Sequence, residues 1–301
     1  SAASDVYKRQ GMEEQRIKLN GKNAKYYNIK NPTASQTAHF YGGNGFALGV
    51  YEPLLSDLAQ HLNITALTMR GEWYDKPTAD KMTREEDADV LIEFLQKTQD
   101  KPIIGIGHSQ GATATTMAAA KRPDLFSALY LLEPVTLTNQ QGKLYSLVPR
   151  MVKMTREPFK STQVKQANWR SVDGYYQFLR RHKAYKRITD EHLLTYAKNS
   201  LEAGEQAELT LRFSPKQELA NYFGTPLIMK PLQQLIADNK VPVQLIIGKP
   251  SMFISQQVRQ MWDKFVPSEQ MTVLNDYGHL LPLEAPELCA KLIFQKLKLT
   301  S

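Results

Sequence analysis

The pentapeptide Gly107-His108-Ser109-Gln110-Gly111 joins an apolar run at residues 102–107 to an alanine-rich stretch at residues 112–120. A G-x-S-x-G spacing between a strand and a helix suits a serine nucleophile. The turn is sharp and strained, it lifts the hydroxyl above the sheet edge, and side chains on the flanking glycines would strike neighbouring backbone. The helix N-terminus behind Ser109 favours the negative charge that develops when the hydroxyl attacks a carbonyl. A second glycine cluster, Gly42-Gly43-Asn44-Gly45, follows the apolar run 37–41 and lets backbone approach an oxyanion closely. The N–H groups of Gly43 and Gln110 are the expected oxyanion donors. Asn44, Phe46 and His108 flank these groups and are expected to contact substrate. A phosphate-cradling reading of the cluster fails because no Lys-Ser/Thr pair or G-x-G-x-x-G completes it.

Activating a serine hydroxyl requires a base. Gly278-His279 lies late in the chain on a loop after an apolar run, and the order serine before histidine suits a base brought over Ser109 by the fold. The remaining candidates are weaker: His61 ends a helix, His108 sits inside the nucleophile turn, and His182 and His192 fall in a helical stretch. Asp276 stands three residues before His279 and is the alternative partner for the imidazole, against its reading as a solvated turn residue.

Positioning these groups takes a particular scaffold. Short apolar runs at 25–29, 37–41, 64–69, 102–107 and 128–132 alternate with helical periodicities at 50–61, 84–98 and 110–121. That alternation predicts an α/β fold, a mostly parallel sheet covered by helices on both faces. After Pro134 the rhythm stops for about 100 residues of helical pattern, then resumes with strands at 242–247 and 271–275 and helices at 254–265 and 286–297. The division expected is a core of residues 12–134 and 236–301 and an inserted helical cap at 135–235. Residues 1–11 lack periodicity, precede Met12 and resemble a translated sequencing-adapter fragment; they are expected to be a non-native, disordered leader.

Composition narrows the classes. The chain has 301 residues, 42% of them hydrophobic, and a single cysteine, Cys289, which excludes an internal disulfide and a cysteine zinc site. No apolar run reaches the ~18 residues of a membrane span, so a cytoplasmic protein without an integral membrane segment is expected. The formal charge of +8 has one source: residues 141–190 hold 12 Lys or Arg against 3 Asp or Glu. This is either a solvated basic face or a cap that attracts anionic substrates. Nucleic acid is not an expected partner, since no RNA-binding or zinc-finger signature accompanies the charge.

The nucleophile turn, the glycine cluster and the late Gly-His together resemble the α/β-hydrolase superfamily over nearly all of residues 25–299. Asn44-Gly45-Phe46, Tyr51-Glu52-Pro53-Leu54-Leu55 and Leu131-Leu132-Glu133-Pro134-Val135 resemble a largely uncharacterised bacterial branch of it. The resemblance implies a triad acid, and here the chain departs from the common pattern. The segment Ile247-Gly248-Lys249-Pro250-Ser251 lacks the aspartate that most of the superfamily carries after that strand. Haloalkane dehalogenases place the acid after the strand that follows the nucleophile helix, and Glu133 stands at that spot.

The implied activity is a carboxylesterase-like serine hydrolase acting on small to medium acyl esters, with no metal or organic cofactor. The cap residues Trp169, Tyr175, Tyr176 and Phe178, with Met151 and Met154, are expected to shape an apolar, adaptable substrate pocket. Thioesters, lactones and carbon–carbon bonds beside a ketone suit the same triad. A homologue that binds ligand without turnover is the alternative of a different class.

Overall fold

The computed structural model describes residues 11–299. The expected leader, Gly11 apart, lies outside the described residues. Among the described residues eleven strands are formed: β1 (Met12–Leu19), β2 (Lys22–Ile29), β3 (Thr37–Tyr41), β4 (Asn63–Leu67), β5 (Ile103–His108), β6 (Phe126–Leu132), β7 (Asn168–Trp169), β8 (Leu201–Ala203), β9 (Leu209–Leu211), β10 (Val243–Lys249) and β11 (Met271–Asn275). Eight of them make one sheet in the order β1-β2-β4-β3-β5-β6-β10-β11. β2 runs antiparallel to both neighbours, and every other pair from β4 to β11 is parallel.

β1 was not expected from the sequence. Its residues alternate poorly, with Glu13, Glu14, Arg16 and Lys18 crowding the apolar positions, and only its two ends are buried. The hairpin to β2 rests on Asn20-Gly21, where φ is 49° and 76°. Two successive positive φ values are what a two-residue turn matching strand twist requires, and Asn-Gly supplies them at the lowest strain.

The strand order reverses between β3 and β5. From β3 the chain moves outward to β4; from β5 it moves the other way to β6. The loops leaving the carboxyl ends of β3 and β5 therefore diverge, and a crevice opens at this switch point. Two apolar layers fill the faces of the sheet. One gathers helices Glu52–Leu58 and Pro286–Leu297 with part of the insert around Phe40, Leu54, Leu55 and Ile293; the other gathers helices Arg84–Thr98, Gln110–Lys121 and Gln256–Phe265 around Phe94, Leu129 and Trp262. Helix Arg84–Thr98 starts at a reciprocal capping box between Thr83 and Glu86, a device worth about 1 kcal/mol.

Between β6 and β10 the chain forms short helices, among them Asn139–Ser146, Val172–Arg180, Asp190–Ser200 and Pro215–Tyr222. A three-stranded antiparallel sheet, β7-β9-β8, lies among them and was not foreseen. Helix Met229–Asp238, assigned mostly to the cap from sequence, joins the core instead: Met229, Leu232 and Leu235 are buried in the layer formed with helix Gln110–Lys121. No helix among the described residues is long and apolar enough to cross a membrane.

Candidate active site

Ser109 follows β5 and caps helix Gln110–Lys121 with φ 57° and ψ −123°. Glu133 follows β6 with φ 48°. The preceding residues, His108 and Leu132, are register partners on adjacent parallel strands, so serine and carboxylate leave the sheet side by side through two strained residues. The Ser109 N–H is held by the Leu132 carbonyl at 3.0 Å and the Glu133 N–H by the Ile246 carbonyl at 2.9 Å, which over-determines both turns. Gly111 is required by close approach: a Cβ there would stand 2.2 Å from the Tyr41 carbonyl oxygen.

His279 arrives on the loop after β11. Its Nε2 lies 2.8 Å from Ser109 Oγ and its Nδ1 lies 3.2 Å from Glu133 Oε1. Ser109 is 5% exposed and Glu133 fully buried, while the His279 side chain keeps 9% of its surface. Phe253 covers the imidazole with ring centroids 4.2 Å apart. Glu133 Oε2 accepts the Gly248 N–H at 2.8 Å, and Oε1 also accepts the Ser251 hydroxyl. These bonds fix the orientation of the buried carboxylate toward the imidazole. Asp276 lies in an exposed turn with φ 71°, and its backbone N–H bonds the Lys249 carbonyl.

The neighbours of Glu133 were not identified from sequence. Ser251 stands in the segment where an aspartate was sought, and its hydroxyl reaches the carboxylate that came from β6 instead. Gly248 both donates its N–H and leaves room for the base loop, since a Cβ on it would lie 2.5 Å from the Tyr277 carbonyl oxygen. A polar residue in a seat lacking its acid was the one available signal.

Of the two expected oxyanion donors, Gln110 offers an N–H at the first turn of its helix with no acceptor among the described residues. Gly43 is adjacent to the serine: a Cβ on it would be 3.2 Å from Ser109 Cβ. Its N–H, however, donates to Tyr51 Oη at 2.8 Å. Tyr51 was not singled out from sequence.

The expected substrate contacts divide. Phe46 is half-buried beside Gly43, with its ring 5.8 Å from His108 and 6.2 Å from Tyr196. His108 is fully buried, and both ring nitrogens are engaged, Nδ1 with Tyr51 Oη at 2.7 Å and Nε2 with the His279 carbonyl at 2.8 Å; it faces protein rather than substrate. Burial pushes its pKa down to about 3. Asn44 is likewise committed: Nδ2 donates to the Glu218 carbonyl and Oδ1 accepts from Asn221 Nδ2, both at 2.9 Å. Trp169 packs on Tyr175 and Phe178 within the insert, and Met151 faces solvent.

Arg84 is buried beneath this region. Its guanidinium bonds Asp87 Oδ2 at 2.7 Å, the Asn221 carbonyl and the Met82 carbonyl at 3.1 Å, and the side-chain oxygens of Asn221 and Gln110. One cation thus ties the residue after Ser109 to helix Pro215–Tyr222 of the insert and, through Asn221, to Asn44 of the glycine cluster.

Comparison with known proteins agrees with this architecture. The family model for the alpha/beta hydrolase fold matches residues 40–286. An uncharacterised hydrolase of Bacillus subtilis, YugF, is 26% identical over 288 residues, covering 94% of this chain and 97% of its own. The crystal structure of E-2-(acetamidomethylene)succinate hydrolase superposes with a TM-score of 0.77 at 18% identity, covering 95% of this chain and 99% of that one. A thioesterase domain from the curacin biosynthetic pathway gives 0.72 at 18% identity, over 94% and 99%. The sheet order, the strained serine turn and the match over most of the chain place this protein in the α/β-hydrolase fold family.

Proposed function

We propose that the protein is a serine hydrolase that cleaves carboxyl esters of small to medium acyl chains through an acyl-enzyme on Ser109. The observation that carries this reading is the continuous line from Ser109 Oγ to His279 Nε2 and from His279 Nδ1 to Glu133, at 2.8 and 3.2 Å. His279 takes the hydroxyl proton as Oγ bonds to the carbonyl carbon, then delivers it to the leaving alcohol. Glu133 holds the imidazole in the tautomer with hydrogen on Nδ1 and stabilises the imidazolium. The Gln110 N–H supports the oxyanion. Water deprotonated by the same histidine releases the acid. Kinship supports hydrolysis: the Bacillus relative and the succinate-derivative enzyme both bear the name hydrolase.

On the substrate side, the insert favours acyl groups bearing a carboxylate. Of the 12 Lys and Arg at 141–190, only Lys165 and Arg180 form ion pairs among the described residues. Arg187 brings this field to the site beside His279: its Nη1 and the Glu284 carboxylate lie 3.4 and 3.3 Å from where a Cβ on Gly278 would stand. A surface with an excess of positive charge raises the local concentration of anionic substrate and its rate of encounter.

The test compares wild type with Ser109→Ala using a fluorophosphonate probe and p-nitrophenyl esters of graded length. Labelling and turnover that both vanish in the variant are expected; a well-folded wild type that neither labels nor turns over overturns the proposal in favour of a non-catalytic binder. Half-esters of dicarboxylic acids are expected to outperform their neutral diesters in kcat/KM, and Arg187→Gln to narrow that gap. Equal kcat/KM values would return the basic insert to a solvated face.

A further inference from the structure

The serine, base and acid do not account for two buried polar side chains at the site, Tyr51 and His108. Both are fully buried and lie in sequence far from the base loop, yet they connect it to the glycine cluster. Four groups form an unbroken series: Gly43 N to Tyr51 Oη at 2.8 Å, Tyr51 Oη to His108 Nδ1 at 2.7 Å, and His108 Nε2 to the His279 carbonyl oxygen at 2.8 Å.

The two ends fix every proton between them. The His279 carbonyl can only accept, so His108 carries its hydrogen on Nε2 and presents a lone pair at Nδ1. That lone pair takes the Tyr51 hydroxyl proton. Tyr51 Oη is left with lone pairs, one of which accepts the Gly43 N–H, a group that can only donate. A second proton on His108 would leave Nδ1–H facing the phenol, whose own hydrogen would lose its acceptor. The imidazole is neutral in keeping with this order, burial holding its pKa at about 3.

We infer that Tyr51 and His108 are positioning residues: a directional hydrogen-bond relay that fixes the spacing between the glycine cluster on one side of Ser109 and the backbone of the base, His279, on the other. This inference rests on the hydrolase reading. The relay reaches the base through its own carbonyl, the atom that decides where the His279 Cα sits relative to Ser109. It also holds the Gly43 N–H on Tyr51 until a charged oxygen competes for it; an oxyanion is a stronger acceptor than a neutral phenol, and Gly43 already lies against Ser109. The rings around the relay keep it dry. Phe40 and Phe46 pack edge-on against Tyr51 at 4.7 and 5.9 Å, and Phe46 lies 5.8 Å from His108.

Four variants test the relay: Tyr51→Phe, His108→Leu, His108→Gln and the double variant Tyr51→Phe/His108→Leu. Each is assayed for kcat and KM on one p-nitrophenyl ester across pH 5–9, with thermal unfolding measured alongside. A misplaced base costs about 10²-fold in rate. His108→Leu is therefore expected to lower kcat by about that factor with KM nearly unchanged, and His108→Gln, whose amide nitrogen can donate to the His279 carbonyl, to recover most of the loss. The double variant is expected to be no slower than His108→Leu alone, because a relay already cut has nothing further to lose.

Multiplicative losses in the double variant, or a glutamine no better than leucine, would overturn the relay and leave two independent packing residues. Imidazole 15N shifts give a readout independent of turnover: His108 is expected in the Nε2–H form from pH 5 to 9, and Nδ1–H would refute the proton order. A wild type inert to fluorophosphonate would defeat the hydrolase reading itself, a result separate from any ranking among these variants.

Discussion

Replacing Glu133 by glutamine tests the acid assignment through atoms whose partners are known. Oε1 accepts from His279 Nδ1 and from the Ser251 hydroxyl, and Oε2 accepts the Gly248 N–H. A glutamine has one acceptor and must choose. With its oxygen toward Gly248, its NH2 faces Nδ1, which must then give up its hydrogen; the proton moves to Nε2, and His279 can no longer accept from Ser109. With its oxygen toward His279, two donors oppose each other at Gly248 in a buried site, a mismatch of about 1–3 kcal/mol. The first arrangement is the lower in energy, and a wrong tautomer in such a triad lowers kcat by about 10⁴-fold, or about 5.5 kcal/mol of transition-state stabilisation. The assay is kcat on a p-nitrophenyl ester together with the rate of fluorophosphonate labelling, with the melting temperature as control. Asp276→Asn, in an exposed turn, is expected to stay within about twofold of wild type. An active Glu133→Gln beside an inactive Asp276→Asn would refute the reasoning.

The partners of the triad make further predictions. Ser251→Ala removes one hydrogen bond to a buried carboxylate, worth about 1.5–3 kcal/mol, and is expected to slow turnover by about tenfold, well short of Glu133→Gln; an equal loss would make Ser251 indispensable rather than supporting. Gly248→Ala drives a Cβ toward the Tyr277 and Gly278 carbonyls at 2.5 and 2.8 Å, so displacement of the base loop is expected to cost about 10²-fold in kcat while the chain stays folded; activity within threefold of wild type would show that the loop yields freely. Stability is expected to fall in acid. Burial lowers the pKa of His39 and His108 from 6.5 to about 3. Below pH 6.5 the unfolded chain therefore takes up protons that the folded chain refuses. The stabilisation is complete above that pH and shrinks toward pH 3 by up to about 1.4 kcal/mol per unit for each residue. Urea midpoints at pH 7.5 and 5.0, with His39→Gln expected to reduce the difference, check this; equal midpoints would show that neither histidine is refused its proton.

The central parallel strands β4, β5, β6 and β10 were legible because each carries an apolar run between helical periodicities. Helices 84–98, 110–121 and 286–297 were placed at their observed bounds, the first opened by the Thr83–Glu86 capping box, the second by the serine turn and the third by Pro286 at its first position. β1 and the strands of the insert escaped for opposite reasons. β1 carries charge on both faces, and β7, β8 and β9 are two or three residues long, too short for any period. Within the site, chain order alone suggested that Ser109 and His279 would meet, while Glu133 depended on resemblance to a rearranged relative. His108 and Asn44 were misjudged as substrate contacts because nearness to a motif in sequence does not say which way a side chain turns. Tyr51, Gly248 and Ser251 belong to no motif of their own: Tyr51 meets His108, and Gly248 and Ser251 meet Glu133, only in the folded chain.

The buried Arg84 hub has a bearing on how this protein can be re-engineered. Inserts between β6 and β10 look like exchangeable parts, and grafting a foreign one is the obvious route to a new substrate range. Here the graft would remove Asn221, which supplies two of the oxygens around the guanidinium, and would leave part of the Arg84 fork without acceptors while Asp87, Met82 and Gln110 hold the rest. Each buried donor left unpaired costs about 1–3 kcal/mol, and two of them are a large share of the stability of an ordinary domain. A successful chimera must therefore bring its own acceptor for Arg84 or replace the arginine outright; the insert is transplantable only together with its socket.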